Sequence, residues 1–431
     1  MFTTLRDAWR IPELRKKLMF TAMIMLIYRI CYVIPVPFVN TQEMVSFFNS
    51  GLQNTMLGFY NVMGGYGFSN ASILSLGIQP YINASIIIQL LCVAIPALER
   101  MAKEEGEEGK KKINKITRYS TIGLSVLLGY GSYVLMTSVA AKTGHTVIEQ
   151  TGFLPALLII LTLTAGSCLV MWLGEQITEK GIGNGISIIL FVGIVSGLPT
   201  MFAQMALSES FKWWMSLIIG VVMLLLVVFI VFINDTERRI PIQYAKRVVG
   251  RKVYGGQNTN LPIKVAMSGV MPVIFAQSIC SVPALICGFM GINEESGNWW
   301  YNNLFSSTSV AYLVIYGLMI FFFSWFYSQI QYDPVEISNN LKKNGGFIPG
   351  FRPGKPTADF IAKVIGKLVI FGAVYLALVS MLPMVGAAVY PAISALGIGG
   401  TSIIIVVGVA LETVKALDSQ MLMRHYKGFL D

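Results

Sequence analysis

The chain has 431 residues, 55% of them hydrophobic and 13% charged, with a formal net charge of +10. A soluble domain carries about 25% charged residues, so a soluble globular fold is excluded and most of this chain belongs in lipid. The positive charge alone would also suit nucleic acid, but its placement along the chain gives it a membrane reading. The basic loops could in addition meet anionic lipid, or an acidic or RNA-bearing partner.

Residues 1–17 read as a basic amphipathic helix on the inner membrane surface, carrying Arg6, Arg10, Arg15, Lys16 and Lys17, and no cleavable signal is expected. Apolar segments come next at roughly 18–36, 71–96, 117–139, 153–174, 182–200, 212–233, 265–290, 309–330, 364–385 and 400–417. Each is near the length that crosses about 30 Å of hydrocarbon. Backbone in lipid must satisfy its own hydrogen bonds, so all ten are predicted to be helices. The layout is a first half over 18–205, a second half over 206–417 and a tail over 418–431.

Between the first two spans, residues 40–70 carry one charge, Glu43, among Phe47, Phe48, Met56, Leu57, Phe59, Tyr60, Val62 and Met63, followed by Gly64, Gly65 and Gly67. That is too apolar for a solvated loop. A re-entrant piece in a cavity fits, and so does a helix lying on the outer surface. Basic residues gather in the N-terminus, the 97–116 loop, the 234–264 loop, the 331–363 loop and the tail. The alternate loops hold only Lys142 and Lys212, against Glu43, Glu149, Glu209, Glu294 and Glu295. Lys and Arg mark the cytoplasmic face. Both termini are therefore expected inside, which requires an even number of spans.

Two echoes divide the chain. Gly77-Ile78-Gln79-Pro80-Tyr81-Ile82-Asn83-Ala84 matches Gly269-Val270-Met271-Pro272-Val273-Ile274-Phe275-Ala276, in the second span of each half. With one gap, Gly181-Ile182-Gly183-Asn184-Gly185-Ile186-Ser187-Ile188-Ile189-Leu190 matches Gly397-Ile398-Gly399-Gly400-Thr401-Ser402-Ile403-Ile404-Ile405, opening the fifth. Five spans per half is odd, so the second half is expected to be inverted, with the working site at the seam. The predicted class is an all-α integral membrane protein of ten transmembrane helices in two inverted five-helix repeats around a central pore.

Chemistry is scarce. The spans hold almost no ionisable side chain except Arg29, which can snorkel or pair. No H-E-x-x-H, G-x-S-x-G or phosphate-loop pattern occurs. Cys31, Cys92, Cys168, Cys280 and Cys287 form no C-x-x-C pair, so neither a metal nor a cofactor is expected. The chain reads as no enzyme. Pro80 and Pro272 interrupt their spans and permit a kink, and Gly77 and Gly269 let neighbours approach. Ile78 and Ile82 share a face, as do Ile186 and Leu190. Ile274 is the repeat mate of Ile82 and Ile405 the mate of Leu190. A ring of these six aliphatic side chains would exclude water and ions and grip no side chain specifically; ordinary packing would use the same residue types. The two large basic inner loops suggest docking of a cytoplasmic partner, with Arg352 pushed out at a tip by Gly and Pro turns.

These residues resemble the SecY/Sec61 alpha family of protein-conducting channels along essentially the whole chain. The resemblance is carried by Gly77-Ile78-Gln79-Pro80-Tyr81-Ile82 with Ser85-Ile86-Ile87-Ile88-Gln89-Leu90-Leu91, and by Met171-Trp172-Leu173-Gly174-Glu175-Gln176-Ile177-Thr178. Gly181 to Gly185, Tyr244-Ala245-Lys246-Arg247, Asn340-Leu341-Lys342-Lys343 and Pro349-Gly350-Phe351-Arg352-Pro353-Gly354 add to it. It implies a bacterial plasma-membrane channel for unfolded secretory polypeptides, with Ile78, Ile82, Ile186, Leu190, Ile274 and Ile405 as its pore ring. Leu190 departs from the usual isoleucine but keeps the aliphatic character. The resemblance implies a plug at about 55–67, including Thr55, Met56, Leu57, Phe59, Tyr60, Val62 and Met63. It implies a lateral gate between the second and seventh spans, with Pro80, Asn83, Gln89, Pro272, Gln277 and Val282, that releases apolar segments into lipid. Lys246, Arg247, Arg251, Lys252 and Arg352 match positions that dock the SecA motor or the ribosome. SecE, SecG, preproteins with signal sequences and membrane lipids are the other implied partners. The tail ends soon after Lys427, which puts contacts of a longer tail in doubt. A small-solute transporter with inverted repeats is the competing reading. Such transporters unwind their first and sixth spans around a polar site, whereas here the breaks fall in the second and seventh. A scaffold without a pore is a third.

Overall fold

The computed structural model describes residues 2–48, 61, 64–103, 105–139, 146–150, 152–207, 213–244, 247–249, 252–254, 258–267, 269–289, 303–304, 309–389 and 400–427. Helix dominates. The chain opens with α1 (Phe2–Arg10) and α2 (Pro12–Cys31). Ile11 is extended and Pro12 starts α2, so the basic N-terminal stretch is divided between two helices. After α3 (Thr41–Phe47) come α4 (Gln79–Ala94), α5 (Pro96–Lys103), α6 (Gly106–Val134, continued by a π turn over Leu135–Val139), α7 (Phe153–Lys180), α8 (Gly185–Leu207) and α9 (Trp213–Asp235). Strands β1 (Glu237–Tyr244), β2 (Arg247–Val249), β3 (Lys252–Tyr254) and β4 (Asn258–Lys264) precede α10 (Met271–Phe289) and α11 (Val310–Gln331). The chain then forms α12 (Pro334–Lys343), β5 (Gly346–Phe347), α13 (Lys355–Val389) and α14 (Gly400–Lys427). Among the described residues, six helical stretches are long and apolar enough to cross a membrane, and α4 and parts of α8 and α10 are shorter apolar helices.

The second and seventh segments start later than their apolar stretches suggest. Residues 71–78 are turns, and α4 has 16 residues, about 24 Å at 1.5 Å per residue. Irregular backbone at that depth must be covered by protein. Here Val36 N–H donates to the Ala71 carbonyl (2.8 Å), Ile73 N–H to Ile34 (3.0 Å) and Gly77 N–H to Leu74 (2.8 Å). Pro80 therefore lies in the first turn of α4, and Pro272 is the second residue of α10. This corrects the expectation that the two prolines interrupt their helices. Proline lacks an N–H, but the first-turn N–H has no intrahelical acceptor, and its fixed φ already suits the helix. Gly77 and Gly269 adopt left-handed φ of +53° and +58° and turn the chain into these starts. The prolines inside helices are instead Pro199, Pro283 and Pro383.

Close backbone approaches occur at matching places in the two halves. A Cβ on Gly166 of α7 would overlap the Ile73 carbonyl, and one on Gly372 of α13 would lie 3.1 Å from the Val265 carbonyl. A Cβ on Gly185 would overlap the Gly174 carbonyl, and one on Gly400 that of Val379.

The central core is one hydrophobic cluster of aliphatic and aromatic side chains drawing on α2, α4, α7, α8, α9, α10, α11, α13 and α14. A second cluster, with Val36, Met44, Phe47, Phe68, Leu135, Val147 and Ile159 among others, covers the end where α2 finishes and α7 begins. At the opposite end, the two long basic loops meet. β1 pairs antiparallel with both β4 and β5, joining residues 237–264 to residues 346–347 in one three-stranded sheet. Ile240, Ile242, Ile263, Leu341, Ile348 and Ile361 are buried beneath it.

Candidate functional site

The six aliphatic residues occupy equivalent places in four helices. Ile78 caps α4 and Ile82 comes one turn later, with Ile82 N–H donating to the Ile78 carbonyl (3.1 Å). Ile186 and Leu190 stand in the first two turns of α8, Ile274 in the first turn of α10, and Ile405 in the second turn of α14. The start of α8 is fixed by polar groups. Asn184 Oδ1 accepts from Ile186 N–H (3.1 Å), and Thr178 Oγ1 accepts from Gly185 N–H (2.9 Å). Ile78, Ile82, Leu190, Ile274 and Ile405 are buried members of the central cluster, and Ile186 packs against it half-buried. The cluster extends well beyond these six, so shared burial does not by itself single them out. What they share is a place at or near the start of one of four helices, with no hydrogen-bonding side chain among the six.

Around this centre the other expected residues are distributed unevenly. Thr55, Met56, Leu57, Phe59, Tyr60, Val62 and Met63 lie outside the described residues. The turn just after them is well tied. Asn61, 2% exposed, accepts at Oδ1 from Ser69 N–H (3.0 Å) and donates through Nδ2 to Ser69 Oγ (3.1 Å). The Tyr32 hydroxyl donates to the Gly64 carbonyl (2.7 Å). Tyr66 holds a left-handed φ of +71°, which costs a non-glycine residue about 1–2 kcal/mol.

On α4 and α10, Pro80, Pro272 and Gln277 are buried, Asn83 and Gln89 half-buried, and Val282 exposed. Gln277 hydrogen-bonds the Tyr312 hydroxyl of α11. Its amide is thus engaged within the second half of the chain. At the basic end, Lys246 and Arg251 lie outside the described residues. Arg247 pairs with Tyr254, and Lys252 with Val249, in the β2–β3 hairpin. Arg352 is exposed on a tight loop between Gly350 and Gly354, whose φ values are +88° and +106°. That loop is held by Thr357 Oγ1 donating to the Arg352 carbonyl (2.8 Å), Ser338 Oγ donating to the Gly354 carbonyl (2.8 Å), and Phe351 stacking on Phe360 at 4.3 Å.

Apart from Arg29, several contributors do not stand out in the sequence. Arg29 does pair: its Nη1 donates to Ser196 Oγ of α8 (3.0 Å), and its guanidinium lies 4.9 Å from the Tyr32 ring centre. Arg118 and Glu175 tie α6 to α7 at 2.7 Å, as Lys415 and Asp235 tie α14 to α9. The one readable signal among them is Gly193-x-x-x-Gly197, a small-residue pair one turn apart on α8.

The comparisons with known proteins point to one family. The SecY family model matches residues 72–414. The protein translocase subunit SecY of Streptomyces lividans is 42% identical over 442 residues, covering 100% of both chains. That of Thermotoga maritima is 40% identical over 437 residues, covering 100% of this chain and 98% of its own. Among solved structures, one described as the structure of a protein conducting channel superposes with a TM-score of 0.65 at 18% identity, covering 94% of this chain and 92% of that one. Another, concerning the plug domain of SecY, gives 0.62 at 20% identity with the same coverage. These two likenesses show a shared fold. With a family model spanning most of its length and relatives at 40% identity or more from end to end, the chain belongs to the SecY family.

Proposed function

We propose that this chain is a passive, gated channel that passes unfolded secretory polypeptides across the bacterial plasma membrane. What supports this is that Ile78, Ile82, Ile186, Leu190, Ile274 and Ile405 stand at or near the starts of four helices and all belong to, or pack against, one hydrophobic cluster. A constriction of these residues dewets and blocks ions, yet yields to any extended chain because it offers no specific bond. The channel performs no covalent chemistry, and a partner supplies the drive.

In this reading the membrane is crossed ten times, with both termini in the cytoplasm and the sheet end facing inward, where Lys and Arg concentrate. The halves are inverted repeats. In support, each has a left-handed glycine before a proline-started helix, and each packs its fifth helix start against its fourth helix at a glycine. The residues at 55–67 plug the pore from outside. α4 and α10 part to release apolar segments into lipid, with Asn83 and Gln89 lowering the cost of separating them. The exposed Arg352 and the hairpin bearing Arg247 and Lys252 dock a SecA-type motor or the ribosome, and SecE and SecG are the membrane partners. Solved relatives of the same fold include a Sec61 ribosome–channel complex.

The test is reconstitution of the chain with its SecE-type partner in liposomes, followed by a SecA-type motor, ATP and a signal-bearing preprotein. Protease protection of the preprotein is expected, and Arg352→Glu should lower its rate about tenfold or more, since charge reversal at a docking contact costs several kcal/mol. Absence of protection with uptake of a small labelled solute would replace this reading with a transporter.

A further inference from the structure

The short turn between α7 and α8, Gly181–Asn184, is gripped by threonine hydroxyls from three helices. Thr21 of α2, 161 residues away in the chain, accepts at Oγ1 from the buried Ile182 N–H (3.3 Å). Its proton goes to the Lys17 carbonyl of its own helix (3.0 Å), which leaves a lone pair for the turn. Thr178 of α7 repeats the pattern, donating to the Gly174 carbonyl (3.0 Å) and accepting from Gly185 N–H (2.9 Å). Thr413 of α14 donates to the Val409 carbonyl (2.7 Å) and stands beside Gly183, whose φ is +76° and where a Cβ would lie 3.5 Å from Thr413 Oγ1.

The grip from α2 is close and dry. Thr21 is 6% exposed and Ile182 1%. A Cβ on Gly181 would stand 2.5 Å from Thr21 Oγ1, so the backbone passes against the hydroxyl itself. The Ile182 side chain is buried with Ala8 of α1, Leu14 of α2 and Leu417 of α14. Lys17 Nζ donates to Gln420 Oε1 (3.3 Å) across the same seam between α2 and α14. Among the described residues, Thr21 is the one side chain outside α7 and α8 that hydrogen-bonds this turn. Helix α8 follows without a break, Ile188 N–H donating to the Asn184 carbonyl (3.0 Å). A helix is stiff over two turns, so whatever fixes Ile182 fixes the azimuth and depth of Ile186 and Leu190. Ile405 stands on α14, the helix that meets the same turn through Thr413 and Leu417.

We propose that Thr21 is a positioning residue for polypeptide passage. Through the Ile182 N–H it ties the start of α8 to the N-terminal helix pair, and so keeps Ile186 and Leu190 in register with Ile405 while a chain moves past them. The proposal rests on the channel reading above and adds to it a residue outside the six aliphatic positions. Without the hydroxyl the turn loses its hold on α2, the start of α8 shifts, and passage slows.

The experiment uses the full chain reconstituted with its SecE-type partner in liposomes. Amide hydrogen exchange is followed in peptides covering residues 181–190 and 271–280, and motor-driven preprotein protection is measured on the same preparations. Thr21→Val removes the acceptor and keeps the shape. It should speed exchange over 181–190 about tenfold, leave 271–280 unchanged, and slow protection about threefold. Thr21→Ser keeps the hydroxyl and should match the unaltered chain in every readout. Thr162→Val deletes a hydroxyl that donates only within α7, to the Leu158 carbonyl (2.7 Å), and should match it as well. Where Thr21→Val assembles poorly, Thr21→Cys, a weak acceptor of similar size, is read in its place. Fast exchange over 181–190 with protection at the unaltered rate would reduce the clasp to a structural bond and overturn the positioning role. Unchanged exchange, or an equal rise over 271–280, would overturn the clasp itself and leave the channel standing. Failure of the unaltered chain to protect any preprotein would take down the channel reading, and the positioning role with it.

Discussion

The two halves of this chain use the same local device in different surroundings. In each, a left-handed glycine turns the backbone and a proline opens a helix three residues later: Gly77 with Pro80, and Gly269 with Pro272. In the first half the turn emerges from an apolar cap built on Val36, Phe47, Phe68 and Leu76. In the second it emerges from β4, the edge of a sheet that also carries β5 from beyond α12. The repeated part thus sets where the two helices start, and the unrepeated insertions give each end its own character. One end is apolar, as the proposed plug end requires; the other is basic, as the proposed docking end requires.

The strongest way to break this parallel is at its close backbone contacts, which are not equally tight. A side chain on Gly166 would strike the Ile73 carbonyl, whereas one on Gly372 meets the Val265 carbonyl at 3.1 Å. Gly166→Ala should therefore destabilise the folded chain by about 3 kcal/mol or fail to assemble, since backbone cannot retreat as a flexible side chain can. Gly372→Ala should cost about 1 kcal/mol or less, a shift of a few tenths of an ångström being enough. Thermal unfolding in detergent, followed by tryptophan fluorescence, measures both. Equal losses at the two sites would show that the halves are alike in tightness as well as in path.

The next test bears on the proposed constriction. Ile82 and Ile274 are mates in the first echo, 6% and 8% exposed in the same cluster. Asparagine at either site would bury an amide with no partner, at about 1–3 kcal/mol. Resting ion efflux from liposomes should rise several-fold for Ile82→Asn and for Ile274→Asn alike. A leak from only one of them would mean that the seal belongs to one half and that its mate is ordinary packing.

What can be read in the sequence depends on which forces act locally. Apolar length alone marks helices such as α7 and α9, because lipid leaves the backbone no alternative. The positions of Ile82 and Ile274 are legible because the echo is written in consecutive residues. The helix starts are not. Residues 71–78 are as apolar as the helix they precede, and partners 30 or more residues away in sequence, Ile34 and Val36, join local bonds in satisfying their turns. The β1–β5 pairing is equally hidden, since Tyr244 meets Gly346 across some hundred residues and β5 is two residues long. The Gly193–Gly197 pair is visible yet mute, because a small-residue pair shows that something comes close without showing what.

The finest distinction concerns polar side chains on α4 and α10. Both Asn83 and Gln277 stand on helices proposed to part, but their surroundings differ, and replacement by leucine should act differently at the two sites. Gln277 is 4% exposed and bonded to Tyr312, whose ring stacks on Tyr316 at 6.0 Å within α11. Gln277→Leu leaves the Tyr312 hydroxyl without that bond in an apolar interior, and should lower thermal stability by about 1–2 kcal/mol. Asn83 is half-buried, so Asn83→Leu should change stability by less than about 0.5 kcal/mol. Its effect should emerge instead in membrane insertion of a weakly apolar test segment, slowed up to about threefold as parting the helices becomes costlier. The two variants separate a bond that holds α10 to α11 from a polar group at the seam. If Gln277→Leu slowed insertion and left stability unchanged, Gln277 would belong to the seam and α10 would not be tied to α11 through it.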